Sequence, residues 1–302
     1  MPPRSVKKDL SPLRRRQLRQ RLVEQNTLSH RRCCVLVGLS RNTQHTTRRQ
    51  IENQELLQKI HRLANRFNRF GYRRIHALLR KHQGLAVNVK RVHRLWKQEG
   101  LQVKKRKRRK RRGGYTVLIP QQAKSPNHVW TVDFVHDTLR HGRSIRLLSV
   151  VDEYTRECLA LRVEYALKSE DVQMTLQTLF HDLGRPLYLR SDNGSEFIAR
   201  SLQGFLSDHG TRPLFIEPGS PWQNGKCESF NGRLRDECLN AEWWGNLREA
   251  QNVIEQWREH YNTERPHSAL EYWTSKQFAD QWYSQNTTGP LPTQADLKRA
   301  VI

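Results

Sequence analysis

HVWTVDFVHDTL, residues 128–139, is rich in β-branched and aromatic residues and predicts a β-strand. Apolar side chains fall on both faces of this strand, with Trp130 and Val132 on one face and Val135 on the other. A strand of this kind is covered on both sides, which favours a central place in a sheet. Asp133 lies within it, and a buried carboxylate is costly unless a cation or hydrogen-bond donors satisfy it. A capped or ion-paired aspartate is the alternative interpretation.

Downstream of this strand the sequence predicts a layered α/β fold. Two more strands follow at hairpin distances and are expected to pair antiparallel with it, and helices follow the third and fourth strands. The predicted strands are 143–152, 158–167, 186–194 and 211–218, and the predicted helices are 169–183, 195–209, 220–239 and 247–261. In the first of these helices Ser169 is the expected cap, and Leu183 is expected to face inward.

Two further acidic residues stand where a ligand could bind. Asp192 follows a predicted strand in the segment SDNGSEF (191–197), and ligands gather at the carboxyl ends of strands in α/β sheets. A turn aspartate before Asn-Gly is the alternative. Glu228 lies in the helix 220–239, which Ser220 is expected to cap, and an ordinary solvated helix face is its alternative.

The helix 220–239 carries two parallel stripes at helical spacing. The predicted buried stripe consists of Cys227, Phe230, Leu234 and Cys238, and the polar stripe one residue on consists of Asn224, Glu228, Asn231 and Arg235.

The three acidic residues together fit one chemical demand. Phosphodiester cleavage by two Mg²⁺ ions about 3.5–4 Å apart requires acidic oxygens from several elements that converge on one point. A central strand, a neighbouring strand end and a helix can supply them, so Asp133, Asp192 and Glu228 are the predicted catalytic metal ligands. Glu196 and Asp152 are nearby carboxylates that would replace one of them if an assignment is wrong.

Basic charge is concentrated in the first third of the chain. The formal net charge is +25, and residues 1–112 contain 34 Lys plus Arg against 5 Asp plus Glu. Residues 113–302 contain 20 and 24. A basic field this localised favours a polyanionic partner over a merely soluble tail.

The basic third is predicted to be helical. Residues 28–43 fit a helix-turn-helix plan, in which Ser29 and Ser40 cap two helices and Gly38 permits the turn, although an ordinary helical hairpin has the same pattern. In the first helix we expect Cys33, Cys34, Leu36 and Val37 to face inward. Residues 55–103 predict a second helical DNA-binding module. The expected DNA contacts from this third are Arg41, Arg73, Arg74, Lys90, Arg91 and Arg94.

Residues 104–112, KKRKRRKRR, predict a flexible linker, because like charges at this density repel each other. Lys104, Lys105 and Arg106 are further expected DNA contacts, and a nuclear-localisation signal is the rival interpretation.

The odd number of five cysteines argues against a disulfide framework. The absence of an apolar leader or of a long apolar run predicts no membrane partner and a cytoplasmic, nucleoid-associated protein.

Three motifs resemble the catalytic segments of bacterial insertion-sequence transposases related to retroviral integrases. They are TVDF (131–134), SDNGSEF (191–197) and PGSPWQNGKCESFNGRLRDECLN (218–240), with the 35 residues between Asp192 and Glu228 that are typical of the family. GYRRIHALL (71–79) and YNTERPHSAL (261–270) also match it, and the resemblance covers roughly residues 28–280. Glu271 and Ser275 depart from the pattern, because the family more often has Gly and Pro there.

The resemblance implies a DDE transposase that cuts and joins DNA strands, with a ribonuclease-H-like core. It implies two Mg²⁺ (or Mn²⁺) ions, with Asp133 bridging both and Asp192 and Glu228 each binding one, and DNA contacts from Asn224, Asn231 and Arg235. The implied partners are terminal inverted repeats, target DNA and further copies of this chain on paired ends, and the upstream-frame protein is a further candidate. The expected domains are 1–54 and 55–103 (helix-turn-helix-like modules), 104–124 (basic linker), 125–240 (catalytic core) and 241–302 (helical extension and tail).

Three other functions remain as alternatives. A tyrosine recombinase would use His209, Arg212 and Tyr261, but a complete set of its basic residues is not evident. A DNA-binding regulator with an inactive core is disfavoured because all three acidic residues are present. A nuclease that cuts without joining would use the same carboxylates, and the predicted DNA-binding modules favour an end-recognising enzyme over it.

Overall fold

The computed structural model describes residues 12–25, 28–39, 45–81, 83–103, 121–217 and 221–286. The chain divides into two compact units, one of Met1–Asn68 with Lys90–Leu101 and the other of Arg69–Val89 with Gln102–Ile302. The predicted caps Ser40 and Ser220 and the predicted DNA contacts Arg41, Lys104, Lys105 and Arg106 lie outside the described residues.

The first unit is helical. Its helices are α1 (Pro12–Glu24), α2 (His30–Val37), α3 (His45–Arg66) and most of α5 (Val89–Gln98). Gly38 ends α2 with a left-handed φ of 67°, as the predicted tight turn requires. Cys33, Cys34 and Val37 are buried, but the prediction for Leu36 was wrong, since its side chain is 56% exposed. A short helix buries one face, and Leu36 is rotated about 100° away from Val37.

The second unit is built on a five-stranded mixed sheet, as predicted. The strands are β1 (Val129–Thr138), β2 (Ser144–Asp152), β3 (Cys158–Glu164), β4 (Tyr188–Ser191) and β5 (Arg212–Phe215), in the order β3-β2-β1-β4-β5. β1 is the central strand, antiparallel to β2 and parallel to β4, and β2 is antiparallel to β3. Trp130 and Val132 on one face are fully buried, and Val135 on the other face is 3% exposed, which explains why the strand is apolar on both faces.

Helices cover both faces of the sheet. They are α6 (Ser169–Leu183), α7 (Ser195–Ile198), α8 (Arg200–Asp208), α9 (Gly225–Leu234) and α10 (Leu247–Thr263), and the unit also contains α4 (Tyr72–Lys81) and α11 (Ser275–Asn286). One core cluster joins residues of β1–β3 to α9 and α10, and the other joins the sheet to α6, α7 and α8. Among the described residues, no helix is both long and apolar enough to cross a membrane.

Three predictions about helix ends need correction. Lys168, not Ser169, is the N-cap of α6, and Leu183 is 42% exposed because it is the last residue of the helix, directly before the C-cap Gly184. The predicted helix 195–209 breaks at Ala199, whose extended ψ of 132° separates α7 from α8. The predicted helix 220–239 is a 3₁₀ turn (Pro221–Asn224), then α9, then a π-helical turn (Arg235–Leu239). Its buried stripe is confirmed, since all four side chains are at most 3% exposed.

The turn before α11 forms without the glycine that the resembling family more often has. Glu271 and Tyr272 adopt left-handed φ angles of 51° and 64°. Lys81 Nζ donates to the carbonyl of Glu271 at 2.9 Å and lies 4.1 Å from the ring centroid of Trp273. These contacts hold a backbone conformation that is uncommon for residues with a side chain.

Candidate active site

Asp133 lies in the middle of β1 and is only partly accessible. Its Oδ1 accepts the backbone amide of Phe134 at 2.8 Å, and its Oδ2 accepts the side-chain amide of Asn231 at 2.8 Å. Burial raises the pKa of Asp133 to about 6, and the negative charges of Asp192 and Glu228 add to that rise. The two hydrogen bonds act in the opposite direction and are outweighed.

Asp192 is carried to the same level of the sheet by the parallel strand β4. Thr131 on β1 pairs with Arg190 on β4, so Asp133 and Asp192 each lie two residues beyond that pair. Asp192 Oδ1 accepts the amide of Gly194 at 2.9 Å. A Cβ at Gly194 would stand 3.0 Å from that oxygen, so this tight approach favours glycine.

Glu228 is brought to the site by α9, which runs along β1. Thr131 Oγ1 donates to Asn224 Oδ1 at 2.7 Å, and Asn231 donates to Asp133. Glu228 lies four residues after Asn224 and three before Asn231, so it shares their helix face. Its side chain is exposed. Among the described residues no group of three His, Cys, Asp or Glu side chains is already arranged to hold a metal ion.

The two reserve carboxylates are engaged elsewhere. Glu196 forms an ion pair with Arg146, and the hydrogen bond from Arg146 is the main reason that the pKa of Glu196 falls to about 2. Asp152 is buried and accepts the backbone amides of Asn127 and Tyr154 at 2.7 Å each and that of Thr155 at 2.9 Å. Glu196 is therefore held by an arginine and Asp152 by three backbone amides, whereas Asp192 accepts the single amide of Gly194.

A buried ion pair next to the site was missed at the sequence level. Arg190 Nε lies 2.9 Å from Glu153 Oε1, and both side chains are 3% exposed. The guanidinium of Arg190 also donates to the carbonyls of Gln223 and Gln121 at 2.8 Å each. It thereby ties β4 to the turn that precedes α9. The available signal was a charged residue inside the apolar strand segment PLYLR (186–190).

The predicted DNA contacts differ in their surroundings. Arg73, Lys90, Arg94 and Arg235 are exposed. Arg91 donates to Asn53 at 2.9 Å. Asn224 and Asn231 are instead hydrogen-bonded inside the site, to Thr131 and Asp133.

Arg74 differs most from its prediction. It is ion-paired with Glu237 at 2.9 Å, and its side chain is only 19% exposed. Burial, with repulsion from Arg265, lowers the pKa of Arg74 to about 10. Its guanidinium is thus committed to a contact within the catalytic unit.

Tyr261 is placed where a tyrosine recombinase could not use it. It is 4% exposed, and its ring packs edge-on against Phe230 at 5.0 Å between centroids. Burial also raises the pKa of its hydroxyl. A covalent attack on DNA by this residue would require the core to open.

A mixed sheet with an acidic central strand, a second acidic residue after the neighbouring parallel strand and a third on a covering helix defines the ribonuclease-H-like class of polynucleotidyl transferases. Comparison with known families agrees with this class. The integrase core domain matches residues 123–221 and 209–274, and an HTH-like domain matches residues 51–110.

Curated relatives extend the match over nearly the whole chain. A protein of insertion element IS476 from Xanthomonas euvesicatoria is 39% identical over 96% of this chain and 84% of its own length. One of insertion element IS407 from Burkholderia multivorans is 41% identical over 85% and 92%. Transposase InsD of insertion element IS2 from Escherichia coli is 29% identical over 77% and 81%.

The chain belongs to this family of insertion-element transposases with an integrase core domain. It is an enzyme, a DDE polynucleotidyl transferase that depends on divalent metal and cuts and joins DNA strands in transposition.

Among solved structures, the catalytic core of HTLV-2 integrase covers 52% of this chain at 19% identity and a TM-score of 0.42. A simian T-cell lymphotropic virus intasome covers 72% at 17% and 0.46.

Proposed function

We propose that Asp133, Asp192 and Glu228 together bind two Mg²⁺ ions at which this transposase cuts and joins the ends of its element. The observation that carries the proposal is the electrostatic state of Asp133. A half-buried carboxylate whose pKa two other carboxylates help to raise is a poor arrangement for an empty protein. It becomes favourable when divalent cations offset the negative charges of the three carboxylates.

The donor set fits Mg²⁺ or Mn²⁺. All three proposed ligands offer carboxylate oxygens, which hard cations prefer. Cys227 is the sulfur atom nearest to this network, 3.8 Å from Asn231 Nδ2, and burial raises the pKa of its thiol. The proposed ligand set contains oxygen atoms only, whereas structural zinc sites are usually built from Cys and His. Ligation by all three carboxylates requires the exposed side chain of Glu228 to turn toward Asp133.

Metal ions held there would activate water or a 3′-hydroxyl as the nucleophile and stabilise the departing oxygen. The surrounding residues of this chain would hold the carboxylate ligands in position. Asn231 and the amide of Phe134 each hold one oxygen of Asp133, and Ser149 Oγ donates to the carbonyl of Asp133 at 3.1 Å. Arg190 and Thr131 hold the start of α9, and therefore the height of Glu228 along β1.

The proposal also includes basic residues that contact DNA outside the carboxylate site. Arg235 lies seven residues after Glu228 on the same helix face, about 10 Å along the axis, where a phosphate near the cut would lie. In the first unit Lys90, Arg91 and Arg94 would contact the terminal repeats. We propose further that copies of this chain assemble on paired ends and that the upstream-frame protein takes part.

Titration calorimetry with Mn²⁺ tests the ligand set. The native protein should bind Mn²⁺, and Glu228→Gln should weaken binding by about tenfold or more, because one charged oxygen ligand is lost. Glu170→Gln is the matched control, since Glu170 is also an exposed glutamate in the first turn of a helix of the same unit. Equal Mn²⁺ affinity in the native protein and Glu228→Gln would remove Glu228 from the site.

A further inference from the structure

Two adjacent tryptophans after the π-helical turn have opposite environments. Trp244 is 2% exposed, and its indole Nε1 donates to Asp137 at 3.0 Å. Trp243 is 82% exposed. Because Trp244 and its hydrogen bond anchor the loop to β1, Trp243 is presented to solvent from a fixed backbone. An aromatic side chain held in this way offers a flat face on which a planar ligand could stack.

Trp243 lies beside a basic residue of a neighbouring hairpin. The backbone amide of Arg140, in the hairpin between β1 and β2, donates to the carbonyl of Trp244 at 2.9 Å. Arg140 and Trp243 line an open cleft of about 430 Å³. His141 and Arg143 of the same hairpin are exposed, and the guanidinium of Arg143 lies over the ring of Tyr165. The exposed acidic residues of the Trp243 loop and the helix after it are Glu242 and Glu249, and Glu249 Oε2 accepts the backbone amide of Gly245 at 2.7 Å. An aromatic ring beside an arginine matches a nucleobase and its phosphate better than an apolar protein surface.

This surface continues from the acidic site along β1. Asn231 contacts Asp133, and one turn later Arg235 Nη2 donates to the carbonyl of His136 at 3.2 Å. Arg140 follows His136 by four residues, at most about 14 Å of chain. The helix after Glu228 and the strand after Asp133 therefore both lead toward Trp243.

We propose that Trp243 and Arg140 form a stacking site for an unpaired base of the DNA strand that extends from the active site. The inference rests on the proposed function and adds one feature of its substrate, which is a frayed or single-stranded end. Arg140 would contact the adjoining phosphate, and Trp243 would stack on the base without regard to sequence, since every base presents a π-face. Ala241, Gly245 and Asn246 beside Trp243 are small or polar and exposed, so no wider apolar patch suggests a protein partner.

The test measures binding of the whole protein in EDTA, by fluorescence anisotropy, to three labelled duplexes. One is blunt, one carries a short 3′ tail with bases, and one carries a tail of abasic sites. Native protein should prefer the tail with bases. Trp243→Ala and Trp243→Leu should lose that preference by about tenfold and bind the blunt duplex as before, and Trp243→Phe should stay within about threefold of native.

Three results would overturn the proposal. Unchanged preference in Trp243→Ala means that no base stacks there, and an equal loss on abasic and base-bearing tails means that Trp243 serves the backbone or the fold. Dissociation of a protein assembly by Trp243→Ala without DNA means that the surface is a subunit contact. Because binding in EDTA requires no metal, failure here leaves the carboxylate site intact, and failure of the carboxylate site leaves this preference intact.

Discussion

At the residue scale, Asp133 carries a charge that the metal-free protein disfavours. The pKa of its carboxyl is about 6 in the folded chain against an ordinary value of 3.8, because of burial and of its acidic neighbours. The unfolded chain thus releases this proton at lower pH than the folded chain does. The ionised carboxylate of Asp133 therefore lowers the free energy of unfolding by its full amount above about pH 6. Well below pH 4 the carboxyl is protonated in both states and has no such effect.

Replacing Asp133 with asparagine should accordingly stabilise the metal-free protein. In urea unfolding with EDTA at pH 8, we expect Asp133→Asn to raise the free energy of unfolding by up to about 3 kcal/mol, and the gain should vanish near pH 4. Asp208→Asn, an exposed aspartate at the end of α8, is the control and should change little. A loss of stability in Asp133→Asn at pH 8 would contradict the assigned cause of the shift.

The sequence could nominate Asp133, Asp192 and Glu228 but not their partners. An acidic residue in an apolar strand and one after a neighbouring strand are visible in the pattern itself. Asn231 was predicted to contact DNA, and the structure shows it bonded to Asp133. The register of α9 against β1 decides this, and it depends on tertiary packing of the buried stripe that local spacing does not encode.

At the element scale, the π-helical turn Arg235–Leu239 joins the helix of Glu228 to α4 and to the segment after α10. Glu237 lies in this turn, and Arg265 Nε donates to it at 2.7 Å while Arg74 Nη1 donates at 2.9 Å. Burial by itself would raise the pKa of Glu237, but the two arginines outweigh burial and lower it. The stability that this carboxylate contributes is thus present above its ordinary pKa and is lost as pH falls through its lowered value.

Glu237→Gln should destabilise the catalytic unit strongly. The change leaves Arg74 and Arg265 near each other without their shared counter-charge, which costs about 3–5 kcal/mol for a buried network. The adjacent Asp236→Asn is the matched control, because Asp236 pairs with Arg69 at the surface with 40% of its side chain exposed, where a pair contributes about 0–1 kcal/mol. Similar melting temperatures for the two variants would show that the network contributes little.

The strands β1 and β2 and the helix 169–183 were predicted closely, whereas β3, β4 and β5 each end three residues before their predicted ends. Apolar strand runs bounded by turn residues placed β1 and β2 within one residue at each end. The break at Ala199, the 3₁₀ turn before α9 and the π-helical turn after it have no comparable local signal. These departures arise where a helix must follow the twisted sheet, so packing sets them.

At the scale of the whole molecule, the basic first third and the acidic site have different proposed roles, which are DNA binding and strand chemistry. We propose that the 34 Lys and Arg residues of 1–112 supply a field for DNA of any sequence and that the carboxylates act on one phosphodiester at a time. The predicted boundary at residue 103 is a proposal. Residues 69–89 group with the catalytic unit, although the HTH-like match spans 51–110. Composition could show that two functions exist but not which helices serve each.

Strand joining in Mg²⁺ tests whether Asp133, Asp192 and Glu228 form the catalytic site. Labelled duplexes carrying the terminal repeats that flank this gene would be incubated with native protein, Glu228→Gln and Glu170→Gln, with the upstream-frame protein added in parallel. The account predicts joined strands from the native protein and Glu170→Gln, and a loss of about a hundredfold or more in Glu228→Gln. Joining by Glu228→Gln at the native rate would contradict the account, because the three carboxylates would then not form the catalytic metal site.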